Sequence, residues 1–210
     1  MSAPDYSEAF KFISDVDADF KRALKIISPI PSRKRPGTFE QLSKIIVEQQ
    51  VSLASAAAIW ARLQTAIQPF SPAQLLQFSE EDLRSLGLSR QKAVYCRSLA
   101  HEIETGSLIL ERLPEMDDAD VMAALTKVKG IGRWTAEIYQ MSCLGSLDVW
   151  PAGDVALQTA MHHLKDLPER PNAKMMDQLG APFQPYRTVA AQILWRYYSD
   201  IVKPPKATTP

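Results

Sequence analysis

Apolar positions recur at spacings of three and four along almost the whole chain, the repeat of helices that bury one face. Phe10, Ile13, Phe20, Leu24 and Ile27 make the first such stripe, with aspartates and lysines between them. Thr38-Phe-Glu-Gln41 has the form of a capping box, and Leu42, Ile45 and Ile46 continue from it on one face. Ser71-Pro-Ala-Gln74 repeats that signature with Pro72 at the first helical position. Ser79 opens a short helix that Gly87 can close. Ser89 caps a longer one that carries Ala93, Cys96, Leu99, Ala100 and Ile103 and ends at Gly106. A further helix begins near Asp118 and runs to Gly130. Every glycine falls at an inferred boundary, and no strand-like alternation flanks a hairpin turn. The pattern predicts an all-α fold of about ten helices, with a loose tail from Lys203 onward.

A chain of 210 residues can bury a core as one domain or as two small lobes. Its 24 basic and 24 acidic residues cancel, which excludes a protein that coats nucleic acid by bulk charge. A local basic face is still allowed, because phosphate contacts are counted at the site. Arg33-Lys34-Arg35, Arg90 with Lys92, and Lys127, Lys129 and Arg133 are the local clusters, each of which alone reads as solvated surface. Only its place beside a turn lifts the last group above that. Two cysteines, Cys96 and Cys143, without a Cys-x-x-Cys motif, exclude a disulfide framework and a structural zinc site. His101, His162 and His163 have no nucleophile or ligand partner in the pattern and read as helix or surface residues. Nothing resembles a signal peptide or a membrane-spanning run, so the expectation is a soluble intracellular protein.

The most informative stretch is Leu125-Thr-Lys-Val-Lys-Gly-Ile-Gly-Arg-Trp-Thr-Ala-Glu137, which has the form helix, Gly-Ile-Gly turn, helix. Gly130 and Gly132 let the backbone turn tightly and approach another molecule closely. The next helix begins with free N–H groups pointing outward, an anion site suited to a nucleic-acid phosphate. One helix length later comes Trp150-Pro-Ala-Gly-Asp154, which places a single carboxylate where a new helix can start. Taken locally, Asp154 is a helix cap. Paired with a phosphate clamp upstream, it points to chemistry on DNA. Asp148 is the rival carboxylate and reads as structural.

With Ile45-Ile-Val-Glu-Gln-Gln-Val-Ser52, Gly87-Leu-Ser-Arg-Gln-Lys-Ala93 and Tyr186-Arg-Thr-Val-Ala-Ala-Gln-Ile-Leu-Trp195, these motifs occur in the order of a known family. The chain resembles the helix-hairpin-helix DNA glycosylase superfamily, and within it the alkylbase branch of 3-methyladenine DNA glycosylase II (AlkA-like), over residues 38 to 200. The resemblance implies a six-helix bundle at 38–147, a second lobe from 1–37 plus 148–210, and an active-site cleft between them. The additional N-terminal β domain of longer bacterial relatives is not expected. Nor is the iron–sulfur cluster of some members, since no cysteine follows Cys143.

Carried over residue by residue, the resemblance makes Asp154 the catalytic carboxylate. Breaking an N-glycosidic bond builds positive charge on the sugar, which a nearby anion stabilises most in the transition state. Trp134 and Trp195 become walls against which a flipped base stacks. The electron-rich indole face attracts a cationic alkylated purine such as 3-methyladenine or 7-methylguanine. Gly130, Gly132 and Thr135 hold phosphate. Gln49 and Gln50 sit at the DNA minor groove, with Gln50 filling the gap left by the extruded nucleotide. The backbone carbonyls of Thr126, Val128 and Ile131 are the positions for a structural potassium or sodium ion, and no cofactor is required. Strand-cutting members carry a Schiff-base lysine where this chain has Trp134. Ile138 and Val155 stand where relatives have aromatics, which implies a roomier pocket.

The expected function is therefore a monofunctional DNA glycosylase that removes alkylated bases from damaged double-stranded DNA in base excision repair. A monomer without membrane association is the default. Two alternatives remain open: a non-catalytic helix-hairpin-helix module that recognises DNA structure, and a glycosylase for oxidised or mismatched bases.

Overall fold

The computed structural model describes residues 6–204, and most of the tail expected to be loose lies outside the described residues. No strand occurs among the described residues, as the helical repeat requires. The first apolar stripe forms two helices, α1 (Ser7–Val16) and α2 (Ala18–Leu24), instead of one. Asp17 breaks the run with extended backbone and turns its carboxylate onto the N–H groups of Asp19 and Phe20, at 2.9 and 3.2 Å. A stripe that keeps its phase across a one-residue break hides the boundary.

Next come α3 (Phe39–Glu48), α4 (Leu53–Ala66), α5 (Pro72–Leu76), α6 (Glu80–Ser85) and α7 (Arg90–Glu104). Their starts fall where the serines and Thr38 indicate. Thr38, Ser52, Ser71, Ser79 and Ser89 each accept a backbone N–H three residues on. At Ser79 both halves of a capping box form, with Asp82 bonding back to the Ser79 N–H at 2.9 Å. Then follow α8 (Asp118–Thr126) and α9 (Arg133–Tyr139), and finally α10 (Val155–Leu164), α11 (Ala173–Gly180) and α12 (Arg187–Tyr197). Among the described residues there are twelve α-helices, against an expectation of about ten. Gly180 ends α11 from inside the helix, against the expectation that no glycine would lie in a helical run. A tight contact explains it, since a Cβ there would meet the Trp150 ring at 2.5 Å.

The described residues divide into two compact units, one of residues 34–145 and one that joins residues 6–33 to residues 146–204. In the first unit the apolar faces of α3, α7, α8 and α9 share one core around Leu42, Ile45, Ile46, Leu99 and Tyr139, all fully buried. In the second, Phe20 and Phe183 pack with ring centroids 4.4 Å apart, and Ile13, Ile193 and Leu194 are also fully buried. Lys165 crosses from the end of α10 to the start of α2, where its ammonium meets Asp17 at 2.6 Å and Asp19 at 3.2 Å. No helix of the described residues is long and apolar enough to cross a membrane.

Candidate functional site

The hairpin is built from α8, α9 and the turn between them. Asp117 caps α8 by accepting the Asp120 N–H at 2.8 Å. The helix stops at Thr126, not at Gly130 as the glycine spacing implied, because the following residues turn in shorter hydrogen-bonded steps. Val128 N–H donates to the Leu125 carbonyl and Ile131 N–H to the Val128 carbonyl, at 3.1 and 3.0 Å. Gly130 lies in the left-handed region at φ +95°, and a Cβ on it would fall 2.0 Å from Tyr95 Cγ. Gly132 is different. Its φ is −89°, it caps α9, and nothing lies within 4 Å of where its Cβ would be. Gly130 is thus a glycine for the fold, whereas Gly132 keeps the approach to the α9 N-terminus open.

Around that terminus Lys127, Lys129 and Arg133 are exposed, and Arg133 is steadied by the buried Glu137 at 2.7 Å. Thr135 is 2% exposed and its Oγ1 accepts from Gln49 at 2.8 Å, so its side chain faces the protein. The first backbone N–H groups of α9 have no partner within the helix. Of the three carbonyls assigned to a cation, that of Val128 already accepts the Ile131 N–H, which leaves one lone pair for an ion.

Gln49 and Gln50 follow directly on α3. The Gln49 carboxamide nitrogen donates to the Gly130 carbonyl at 3.2 Å as well as to Thr135, so this side chain ties α3 to the hairpin. Gln50 is exposed and sits at φ +53°, a left-handed conformation that costs a side-chain-bearing residue about 1–2 kcal/mol. Lys92, which sequence reasoning placed in a solvated cluster, is 9% exposed. Burial pulls its ammonium below the ordinary lysine range. Its neighbour Cys96 is buried, and desolvation pushes the thiol up to about 12, so it remains a neutral packing group.

The carboxylate is positioned by a different set of contacts. Arg187, at the start of α12, grips Asp148 with two bonds at 2.7 and 2.9 Å. Thr188 Oγ1 donates to the Ser146 carbonyl at 2.8 Å and accepts the Val149 N–H at 3.0 Å. Trp150 is buried with its indole N–H on the Met176 carbonyl at 2.8 Å, and the Gln158 amide holds the Ala152 carbonyl at 2.9 Å. Every turn of the loop before Asp154 is therefore fastened. Asp154 caps α10, accepting the Leu157 N–H at 2.9 Å and the Trp195 indole N–H at 3.2 Å, both on Oδ1.

Trp195 is half-buried, and the Arg33 guanidinium lies over one face of its ring at 4.9 Å. A base stacked there would have to use the other face or displace Arg33. Trp134 is half-buried near the start of α9. Ile138 is half-buried and Val155 is 59% exposed. Asp148, the rival carboxylate, is engaged by Arg187. The structure thus groups Gln49, Thr135 and Gly130 in one cluster and Asp154 with Trp195 in another. Sequence reasoning missed the buried Lys92 and the Arg33 stacked over Trp195, because a charge cluster carries no mark of which member makes a distant contact.

The sequence pattern of the HhH-GPD superfamily of base excision DNA repair proteins matches residues 43–185. The chain belongs to that superfamily. Among HhH-GPD proteins it is similar to the alkylbase DNA glycosidase-like protein mag2 of Schizosaccharomyces pombe, 28% identical over 91% of this chain and 93% of mag2. Two solved structures match nearly end to end. One is the Schizosaccharomyces pombe 3-methyladenine DNA glycosylase Mag1 in complex with abasic DNA, with 28% identity, TM-score 0.83, and coverage of 90% of this chain and 95% of Mag1. The other is a DNA-3-methyladenine glycosidase of Bacillus halodurans, with 33% identity, TM-score 0.79, and coverage of 96% and 93%.

Proposed function

We propose that this HhH-GPD protein is an alkylbase DNA glycosylase of base excision repair, which hydrolyses the N-glycosidic bond of 3-methyladenine- and 7-methylguanine-type bases flipped from double-stranded DNA. The observation that carries the reading is Asp154. A carboxylate at a helix start, fixed by the Leu157 N–H and the Trp195 indole, is held ready for charge that develops on deoxyribose. The same group orients the attacking water. Amide groups at the start of α9 hold a phosphate beside the open Gly132, with Lys127 and Lys129 adding local positive charge. Gln50 fills the space vacated by the base. Trp134 stacks the extruded base, and Trp195 serves chiefly to orient Asp154. Because Trp134 has no amine to form a Schiff base, the product is an abasic site in an unbroken strand.

The direct test is release of free methylated base from alkylated duplex DNA, followed by a check for strand breaks. Base release without breakage is the expected result. Absence of any released base would leave only a DNA-binding module.

Trp134→Ala separates the stacking role from general packing. A cationic base loses the attraction to the indole face, about 0.5–2 kcal/mol, beyond what a neutral base loses. Excision of 7-methylguanine should therefore fall several times further than excision of hypoxanthine from matched duplexes. Equal losses on both would remove the cation–π contribution.

Gln50→Gly should move stability and activity in opposite directions. Glycine relieves the left-handed conformation at φ +53° and raises stability by about 1 kcal/mol. It also removes the side chain that props the duplex, so excision slows while the melting temperature rises. A variant as active as the parent would take the wedge role from Gln50.

A further inference from the structure

The last turn of α3 poses a capping problem that the sequence solves in an unusual way. A helix leaves its final carbonyls without partners, and the common remedy is a glycine in the left-handed position just beyond. Here that position holds Gln50, and the carbonyls are met from another helix. Lys92 Nζ donates to the Val47 carbonyl at 2.7 Å and to the Gln49 carbonyl at 2.6 Å. Lys92 is itself fixed, because Ser89 Oγ accepts its backbone N–H at 3.3 Å at the start of α7. An ammonium placed in a 9% exposed position costs desolvation that an apolar side chain of the same length would avoid. Packing alone therefore does not call for a lysine here. Donation to the end of α3 does.

We propose that Lys92 is a positioning residue for base extrusion, which presents Gln50 to the duplex in fixed register with the hairpin. The register has two struts. Lys92 holds the backbone on either side of Glu48, and the Gln49 carboxamide holds the Gly130 carbonyl and Thr135 Oγ1. Gln50, the next residue, has no freedom to drift relative to the turn that grips phosphate. Phosphate contact and gap filling thus act as one rigid step. The inference rests on the glycosylase reading above, and its test is chosen to fail separately from it.

The test compares Lys92→Met and Lys92→Arg with the parent on two duplexes. One carries 7-methylguanine. The other carries a tetrahydrofuran abasic analogue beside 2-aminopurine, whose fluorescence reports unstacking. Lys92→Met should melt cooperatively and bind undamaged duplex as the parent does, yet give little fluorescence rise. Its single-turnover excision should fall by about a hundredfold, the scale of a displaced positioning group. Lys92→Arg, which still donates to carbonyls, should recover part of both signals. Gln50→Ala added to Lys92→Met should cause no further loss, because the strut acts only through Gln50.

Parental fluorescence and excision in Lys92→Met, or a fully additive double variant, would overturn the proposal. If Lys92→Met does not fold, Gln49→Leu cuts the second strut and is judged by the same two signals. A parent that unstacks 2-aminopurine but releases no base would defeat the enzymatic reading and leave the positioning role standing.

Discussion

Asp154→Asn should slow base excision by about a thousandfold while leaving affinity for an abasic-analogue duplex unchanged. Asparagine keeps a carbonyl oxygen where Oδ1 now accepts from Leu157 N–H and Trp195 Nε1, so the α10 cap and the indole bond both survive. What is lost is the negative charge. Removal of one preorganised electrostatic group from a transition state typically costs about 10²–10³ in rate, or roughly 3–4 kcal/mol. Here the effect should reach the upper end, since the carboxylate also orients the water. Asp154→Ala supplies the contrast, because it removes the cap as well and should lower stability by about 1 kcal/mol. Single-turnover rates and melting curves on both variants separate charge from capping. Equal turnover by Asp154→Asn and the parent would end the catalytic assignment.

Much of the fold was legible because helix starts are written in local chemistry. Thr38, Ser71, Ser79 and Ser89 each cap the helix their spacing announced, and a hydroxyl with a backbone N–H three residues on needs no tertiary information. Helix ends were harder. Gly130 suggested that α8 would run to the turn, yet the helix stops at Thr126 because Lys127 and Val128 tighten onto the Leu125 carbonyl. The break at Asp17 was hidden for a related reason, as the buried Ile13 and Phe20 on either side keep the same face.

The candidate site shows the same division between local and distant information. That Asp154 begins a helix followed from the Pro-Ala-Gly before it. That its carboxylate meets the Trp195 indole depends on a residue 41 positions away. Local pattern cannot report such a bond. Arg33 and Lys92 were visible only as members of basic clusters, and nothing in Arg33-Lys34-Arg35 or Arg90-Gln-Lys92 tells that one lies over the Trp195 ring or that the other is buried against α3. Thr135 shows the same division. Its place at a helix start is local, but the bond its hydroxyl accepts comes from Gln49, 86 positions away.

The hairpin's two glycines should respond in opposite ways to the same added methyl group. Gly130→Ala forces a left-handed φ of +95° on alanine and drives a Cβ to 2.0 Å from the Tyr95 ring. The backbone cost of about 1–2 kcal/mol and the displacement of Tyr95 together should exceed roughly 3 kcal/mol. A sharp fall in melting temperature and loss of all DNA binding should follow. Gly132→Ala meets neither obstacle, since its φ is −89° and the space is empty. It should fold with parental stability, yet crowd the phosphate at the start of α9 and weaken duplex binding about tenfold, or 1.4 kcal/mol. Melting curves and duplex titrations on the pair would check this. If Gly132→Ala binds as tightly as the parent, the phosphate is not held at the open end of α9. If Gly130→Ala melts normally, the turn has an alternative packing that spares Tyr95.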